Sequence, residues 1–407
     1  MEIKLIARCV RGIEYAVADE IASLVPAEPT LAAREVRFRS PRLDLAVCEL
    51  RTADDVFLSV GTVEGVGHRK DVLPWLAEQV RRMDWRLAVE TLGRLRDLPA
   101  MRRFDVVASL VGRRNYSRYD VEDAIGAVLA VGLRARYVSR RPAAAAPMQQ
   151  LALSVRVFIS GDTAGIAIRL APDPLHRRSY KKDASRGTLH PPLAAVLARL
   201  LGVGPRETVL DPFCGDGTIL IEVARVTPGA GIRGSDLDPA RIQNAVANAE
   251  RAGADVAFSV MDAGRLDLDD RTVDVLVSNP PWNLAVDADG LLKDGLRPFW
   301  AEAERVASST GRMGIIADAE LGVPGELRRL DYQLSLVQTV RLAGRLSEVV
   351  LCTPPGRPAW GLPGHISKWR NRALDAGLVT GSGFELSLAS SMGPGCCHEE
   401  GAISGHE

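Results

Sequence analysis

The chain has 407 residues, 46% of them hydrophobic and 25% charged, with 51 basic and 51 acidic side chains. That length suits two or three domains with cores of their own, and no apolar run is long enough to span a bilayer. Six scattered cysteines without paired ligand spacing indicate neither a zinc site nor a disulfide framework, and the amino terminus MEIKLIARCVRGIEYAVADE has charges where a secretory signal would be apolar, so a cytoplasmic protein with reduced thiols is expected.

The zero net charge hides an asymmetry: residues 1–190 carry eight more cations than acids, and residues 191–407 the reverse. A basic half joined to an acidic one suggests a polyanion-binding module attached to a catalytic one. In chain order, residues 1–65 show a strand (IKLIARCV), a helix (EYAVADEIASLV), an alternating strand (REVRFRS), a helical segment at 41–50 and a strand (VFLSVGTVEG), a small α+β unit. The alternation predicts Val36 and Phe38 inside, with Arg37 and Arg39 on an exposed face.

A second α+β unit is expected over 66–174. It opens with a helix at 71–87 and a strand, FDVVASLVG, followed by a basic aromatic turn from Arg113 to Tyr119. A helix N-capped by Asp120 comes next, then a loop over 134–150, and a hairpin turning at Gly161-Asp162. Between Arg102 and Arg141 there are nine arginines against four acids, a density suited to phosphate, and Tyr116 and Tyr119 could stack on bases. Arg113, Arg114 and Arg118 are therefore candidate RNA contacts. So are Arg177, Arg178 and Lys181 of the connector, residues 175–192, where five cations face one acid.

Residues 193–355 alternate strands and helices, predicting an α/β, doubly wound, mostly parallel sheet. Ligands of such sheets bind at the carboxyl ends of the strands, and four motifs fall there. VLDPFCGDGTILIE carries Asp211 and a glycine turn, GSDLDP carries Asp236, SVMDA carries Asp262, and VLVSNPPW carries Asn279. An acid about 25 residues after the loop can hold ribose hydroxyls, and a third-strand acid an adenine amine. The GDG loop lacks dinucleotide spacing, which favours an adenosine cofactor without pyrophosphate, such as S-adenosylmethionine. In Asn279-Pro280-Pro281-Trp282 the asparagine side-chain and Pro280 backbone carbonyls can converge on an exocyclic amine, and Trp282 offers a stacking face.

On these motifs, residues 190–355 resemble class I S-adenosylmethionine-dependent amino-methyltransferases. Residues 1–355, with LHRRSYKK in the connector, resemble the THUMP-domain RNA methyltransferases that modify guanine N2 in transfer RNA. The resemblance implies a ferredoxin-like domain (1–65) and a THUMP-like domain (66–174) gripping RNA, and a Rossmann-like catalytic domain (193–355). It places Asp211, Phe213, Gly215, Gly217 and Thr218 in the cofactor site, Gly215 with Asp211 by the methionine part. Asp236 and Leu237 fall by the ribose, Asp262 and Ala263 by the adenine, and Asn279 where cofactor and substrate meet. The chain departs from the family in Trp282-Asn283, where tyrosine and glycine are usual, and in Ser179, where glycine is usual. Methylation of guanine N2 in ribosomal RNA, of adenine in DNA or of a protein glutamine, and RNA binding without turnover, are the alternative readings. No metal is expected, including at Cys396-Cys397-His398, and residues 356–407 are expected to be disordered.

Overall fold

The computed structural model describes residues 2–99, 102–142, 151–182, 185, 187–281, 289–342 and 344–380. Strand β1 (Ile3–Arg8) leads through α1 (Glu14–Leu24) to β2 (Thr30–Ala32), β3 (Glu35–Ser40) and β4 (Asp55–Glu64). Then come α2 (Leu73–Arg81), α3 (Trp85–Gly93), β5 (Arg103–Leu110), α4 (Arg118–Gly132), β6 (Arg136–Tyr137), β7 (Leu153–Ser160) and β8 (Thr163–Arg169). All eight strands make one sheet in the order β2-β3-β1-β4-β8-β7-β5-β6. The boundary drawn at 65/66 therefore falls inside a continuous sheet, because β4 pairs antiparallel with β8 from Phe57–Arg169 to Glu64–Thr163.

Local differences from the sequence reading have local causes. The helix expected at 41–50 is only a 3-10 turn, Leu45–Glu49, begun by Asp44 accepting the Ala46 amide. The helix expected over 71–87 is two, since Asp84 accepts the Leu87 amide and starts α3 afresh, while Trp85 Nε1 donates to the Val80 carbonyl at 2.7 Å. Ser117, not Asp120, caps α4; Asp120 completes a reciprocal capping box from the third helical position. In the expected 134–150 loop, Arg136–Tyr137 pair with β5, and Arg140 is bound at 2.8 Å to the buried Asp105. Residues 143–150 lie outside the described residues. On β3, Val36 and Phe38 are buried with Arg37 and Arg39 exposed, as the alternation predicts.

The second layer begins with α5 (Pro191–Leu201) and β9 (Thr208–Asp211), and continues with α6 (Thr218–Val226), β10 (Gly231–Asp236) and α7 (Pro239–Ala252). It is completed by β11 (Ala257–Val260), β12 (Val273–Ser278), α8 (Arg297–Val306), β13 (Ala307–Asp318), α9 (Val323–Arg329), β14 (Gln333–Leu342) and β15 (Arg345–Thr353). The sheet order is β11-β10-β9-β12-β13-β15-β14, parallel from β11 to β13, with β15 antiparallel to both its neighbours. The direction of winding reverses between β9 and β12, which opens a crevice at their carboxyl ends.

The region expected to be disordered holds one more helix, α10 (Gly364–Asp375). Ile366, Trp369 and Ala373 follow a helical period and are buried, and His365 reaches Asp19 of α1 at 2.7 Å. Proline and glycine before this segment mask a short amphipathic helix with an apolar surface to dock on. Residues 381–407, including Cys396-Cys397-His398, lie outside the described residues.

Candidate active site

The four motifs open onto one cleft of about 980 Å³. Asp211, at the end of β9, is 1% exposed. Its Oδ1 accepts bonds from the Phe213 amide (3.0 Å) and the Ser278 hydroxyl (2.9 Å), while Oδ2 is buried without a partner among the described residues. Burial pushes this carboxyl up to about 7, against the pull of the bonds from Phe213 and Ser278. Thr218, 3% exposed, likewise has a buried Oγ1 with no partner among the described residues. Two orphaned polar atoms on the wall of a cleft are a costly arrangement unless a polar ligand meets them.

The two glycines of the loop have different surroundings. Gly217 has φ +80°, and a Cβ there would stand 3.1 Å from Phe258 and 3.2 Å from Ala245, so it lets α6 start against α7 and β11. Gly215 has φ +51° and donates its N–H to Asp236 Oδ2 at 2.9 Å. Asp236 Oδ1 accepts the Asp238 amide at 3.0 Å. Asp262 is similarly held, by Gly264 N–H (2.8 Å) and Leu291 N–H (2.9 Å). Each carboxylate oxygen keeps a second lone pair for a ligand. Phe213 stacks edge-on against Phe299 at 4.9 Å and lines the cleft with Leu237 and Ala263.

Asn279 closes the fourth corner at the end of β12. Its Nδ2 donates to the Gly187 carbonyl at 3.2 Å, and Pro280 and Pro281 continue the cleft wall. Trp282 lies outside the described residues. Oδ1 of Asn279 has no partner among the described residues, so the amide presents one acceptor, held in orientation by the connector.

Over residues 178–345 the chain matches the family described as RMKL-like, methyltransferase domain. It is also 30% identical over 278 residues to the tRNA (guanine(6)-N2)-methyltransferase of Thermus thermophilus, spanning 67% of this chain and 76% of that one. The chain belongs to this methyltransferase family. Its fold is shared with TrmN from Thermus thermophilus (27% identity, 86% of this chain and 99% of that chain, TM-score 0.69). The same fold occurs in SMU.472, solved in complex with SAH (18% identity, 87% and 98%, TM-score 0.66). S-adenosylmethionine is the methyl donor of the family, and the orphaned atoms and strand-end acids of the cleft fit it.

Several residues of the methyltransferase cleft escaped the sequence reading. Asp216, 1% exposed, accepts the Ser185 amide (3.1 Å), the Ser185 hydroxyl (2.9 Å) and the Thr188 hydroxyl (2.9 Å), clasping the connector onto the glycine loop. Burial would raise the Asp216 carboxyl, but bonds from Thr188 and Ser185 outweigh it and hold the carboxyl below its ordinary range. Asp216 and Ser278 sit inside or beside recognised motifs and were findable there. Arg34 and Asp54, which line the cleft from the first sheet, had no signal at all.

The candidate RNA contacts separate into exposed and structural. Arg113, Arg118 and Arg177 are exposed. Arg178 is not: its side chain is 7% exposed, bonded to Glu222 at 2.9 Å and to the Arg51 carbonyl at 2.6 Å, because the buried Glu222 needs cations. Arg114 is spent on the carbonyls of Val66, Gly67 and Gly161, tying three loops together. Lys181 is half-buried and donates to the Leu189 carbonyl at 3.3 Å; burial lowers its pKa. Tyr116 is 6% exposed with its hydroxyl on the Gly67 carbonyl, a packing residue rather than a stacking platform.

Proposed function

We propose that this methyltransferase transfers a methyl group from S-adenosylmethionine to the exocyclic N2 amine of a guanosine in tRNA. The carrying observation is the tethered amide of Asn279: with Nδ2 given to Gly187, Oδ1 is left to accept from the substrate amine and aim its lone pair. The cofactor supplies an electrophilic methyl group. Around it, Asp211 Oδ2 takes the methionine ammonium, Asp236 the ribose hydroxyls and Asp262 the adenine amine. Guanosine in tRNA is the substrate of the Thermus relative by its name, and the basic first half of the chain supports a polyanionic substrate. With that substrate, the enzyme is proposed to act in the cytoplasm.

The reading is tested by transferring tritiated methyl to total RNA, separating tRNA from ribosomal RNA, and analysing the nucleosides by mass spectrometry. N2-methylguanosine is the expected product, and label confined to another base or to ribosomal RNA would overturn it.

Asp211 makes cofactor affinity depend on pH. Only the carboxylate attracts the ammonium, and with its pKa at about 7 in the free enzyme the fraction ionised rises with pH through that value. Affinity should therefore fall about tenfold for each pH unit below 7 and level off above it. Titration calorimetry should show that slope in the wild type and lose it in Asp211→Asn; parallel profiles would reject the contact.

For the RNA path, Arg113→Gln with Arg118→Gln should flatten the salt dependence of tRNA binding, since each lost phosphate contact removes about 0.7–0.9 from the slope. Filter binding at four salt concentrations reads this, and an unaltered slope would move the path off this turn.

A further inference from the structure

The cleft that holds the four motifs also takes in two arginines 307 positions apart, Arg34 in the turn between β2 and β3 and Arg341 near the end of β14. Arg34 stands at φ +64°, a left-handed backbone where glycine or asparagine is at ease and arginine is strained. Strain of this kind persists where the surroundings hold it and often serves a site. Here the holder is Glu14, fully buried, whose Oε1 takes the Arg34 amide and whose Oε2 takes the Gly12 amide, both at 2.8 Å.

Gly12 in turn lies directly on β14. A Cβ at Gly12 would fall 2.4 Å from the Thr339 carbonyl oxygen, so only glycine permits the approach. The chain of contacts Arg34–Glu14–Gly12–Thr339 thus fixes the turn of the first sheet against the strand that carries Arg341.

Among the described residues, neither guanidinium has a carboxylate partner. Among the described residues Arg34 makes no side-chain hydrogen bond, and Arg341 there only crosses the hairpin to the Gly344 carbonyl at 3.0 Å. The acids nearby are already engaged, Asp318 by Arg345 at 2.8 Å and Asp54 by His190 at 2.6 Å. Two unneutralised, planar, permanent cations on one cleft suit a phosphate, which guanidinium binds in bidentate fashion.

We propose that Arg34 and Arg341 form a phosphate clamp that grips the backbone next to the target nucleotide and so presents its base to Asn279. The inference rests on the nucleic-acid reading of the site and adds a subsite to it. A nucleotide extruded from its helix must be held by its backbone for its amine to be aligned, and the clamp does this from the sheet outside the catalytic domain.

Arg34→Gly removes the guanidinium while relaxing the backbone, so a folding defect does not confuse the result, and Arg341→Gln keeps the side-chain length. In the full chain, each should lower kcat/KM for tRNA by about tenfold, the loss of one charge-assisted contact, felt in kcat as well as KM because the same contact binds the backbone and aligns the amine. Affinity for S-adenosylhomocysteine should stay unchanged. A double variant with kcat/KM within about twofold of wild type would overturn the clamp.

A second measurement needs neither turnover nor the correct base: binding of the four nucleoside 3′,5′-bisphosphates against the four nucleosides by the enzyme saturated with S-adenosylhomocysteine. Wild type should prefer the bisphosphates about tenfold and the double variant should not. A wild type without that preference overturns the clamp. A wild type that keeps the preference but methylates a base other than guanine overturns the proposed function and leaves the clamp standing.

Discussion

Asn279→Ala is expected to reduce methyl transfer by roughly a hundred- to a thousandfold with cofactor affinity unchanged, the loss usual when one preorganised polar group that aligns a reacting atom is removed. The exocyclic amine of guanine is a poor nucleophile whose lone pair is delocalised into the ring, so its geometry matters more than a strong base. In the proposed mechanism Asn279 supplies that geometry, because its amide cannot rotate without giving up the bond to Gly187. Single-turnover methylation together with calorimetry separates the two effects. A variant retaining full turnover, or one losing cofactor binding in parallel, would refute the orienting role.

Glu222→Ala is expected to cost about 3–5 kcal/mol of stability, the penalty for leaving buried cations without their counter-charge. Glu222 is fully buried on α6 and accepts from Arg51 at 2.7 and 2.8 Å, from Arg178 at 2.9 Å and from the Tyr180 hydroxyl at 2.8 Å. Arg51 comes from the loop before β4, Arg178 and Tyr180 from the connector, and Glu222 from the catalytic domain. One carboxylate therefore pins three parts of the chain together. Denaturant unfolding should show the loss in Glu222→Ala, and Arg178→Gln should likewise lose stability without a change in the salt slope of tRNA binding. Wild-type stability in both variants would dismiss the tether.

The catalytic half was the more legible of the two. Its strands are short, Asp211 and Asp236 end theirs, and Asp262 and Asn279 follow theirs within two residues, so these four could be picked out at the strand ends. The basic half misled because composition does not distinguish a solvated arginine from a structural one. Arg113 and Arg178 are identical as letters, yet one is exposed and the other is sealed against Glu222. Likewise, prolines and glycines around residues 354–363 hid α10, whose helical period becomes decisive only because α1 offers it an apolar surface.

The sequence by itself pointed to the proposed chemistry: a strand-loop-helix for an adenosine cofactor, acids in register behind it, and an Asn-Pro-Pro turn for an amine. These are local, since each motif is a few consecutive residues whose backbone geometry is set by glycine, proline and the strand it terminates. Only the tertiary structure decided how the two halves share a site. Glu14 and Gly12 set Arg34 beside β14, Asp216 clasps the connector over the glycine loop, and Gly187 fixes the Asn279 amide. Those contacts join residues from 20 to more than 300 positions apart, and pairing at such separations depends on packing that no periodicity in the chain encodes.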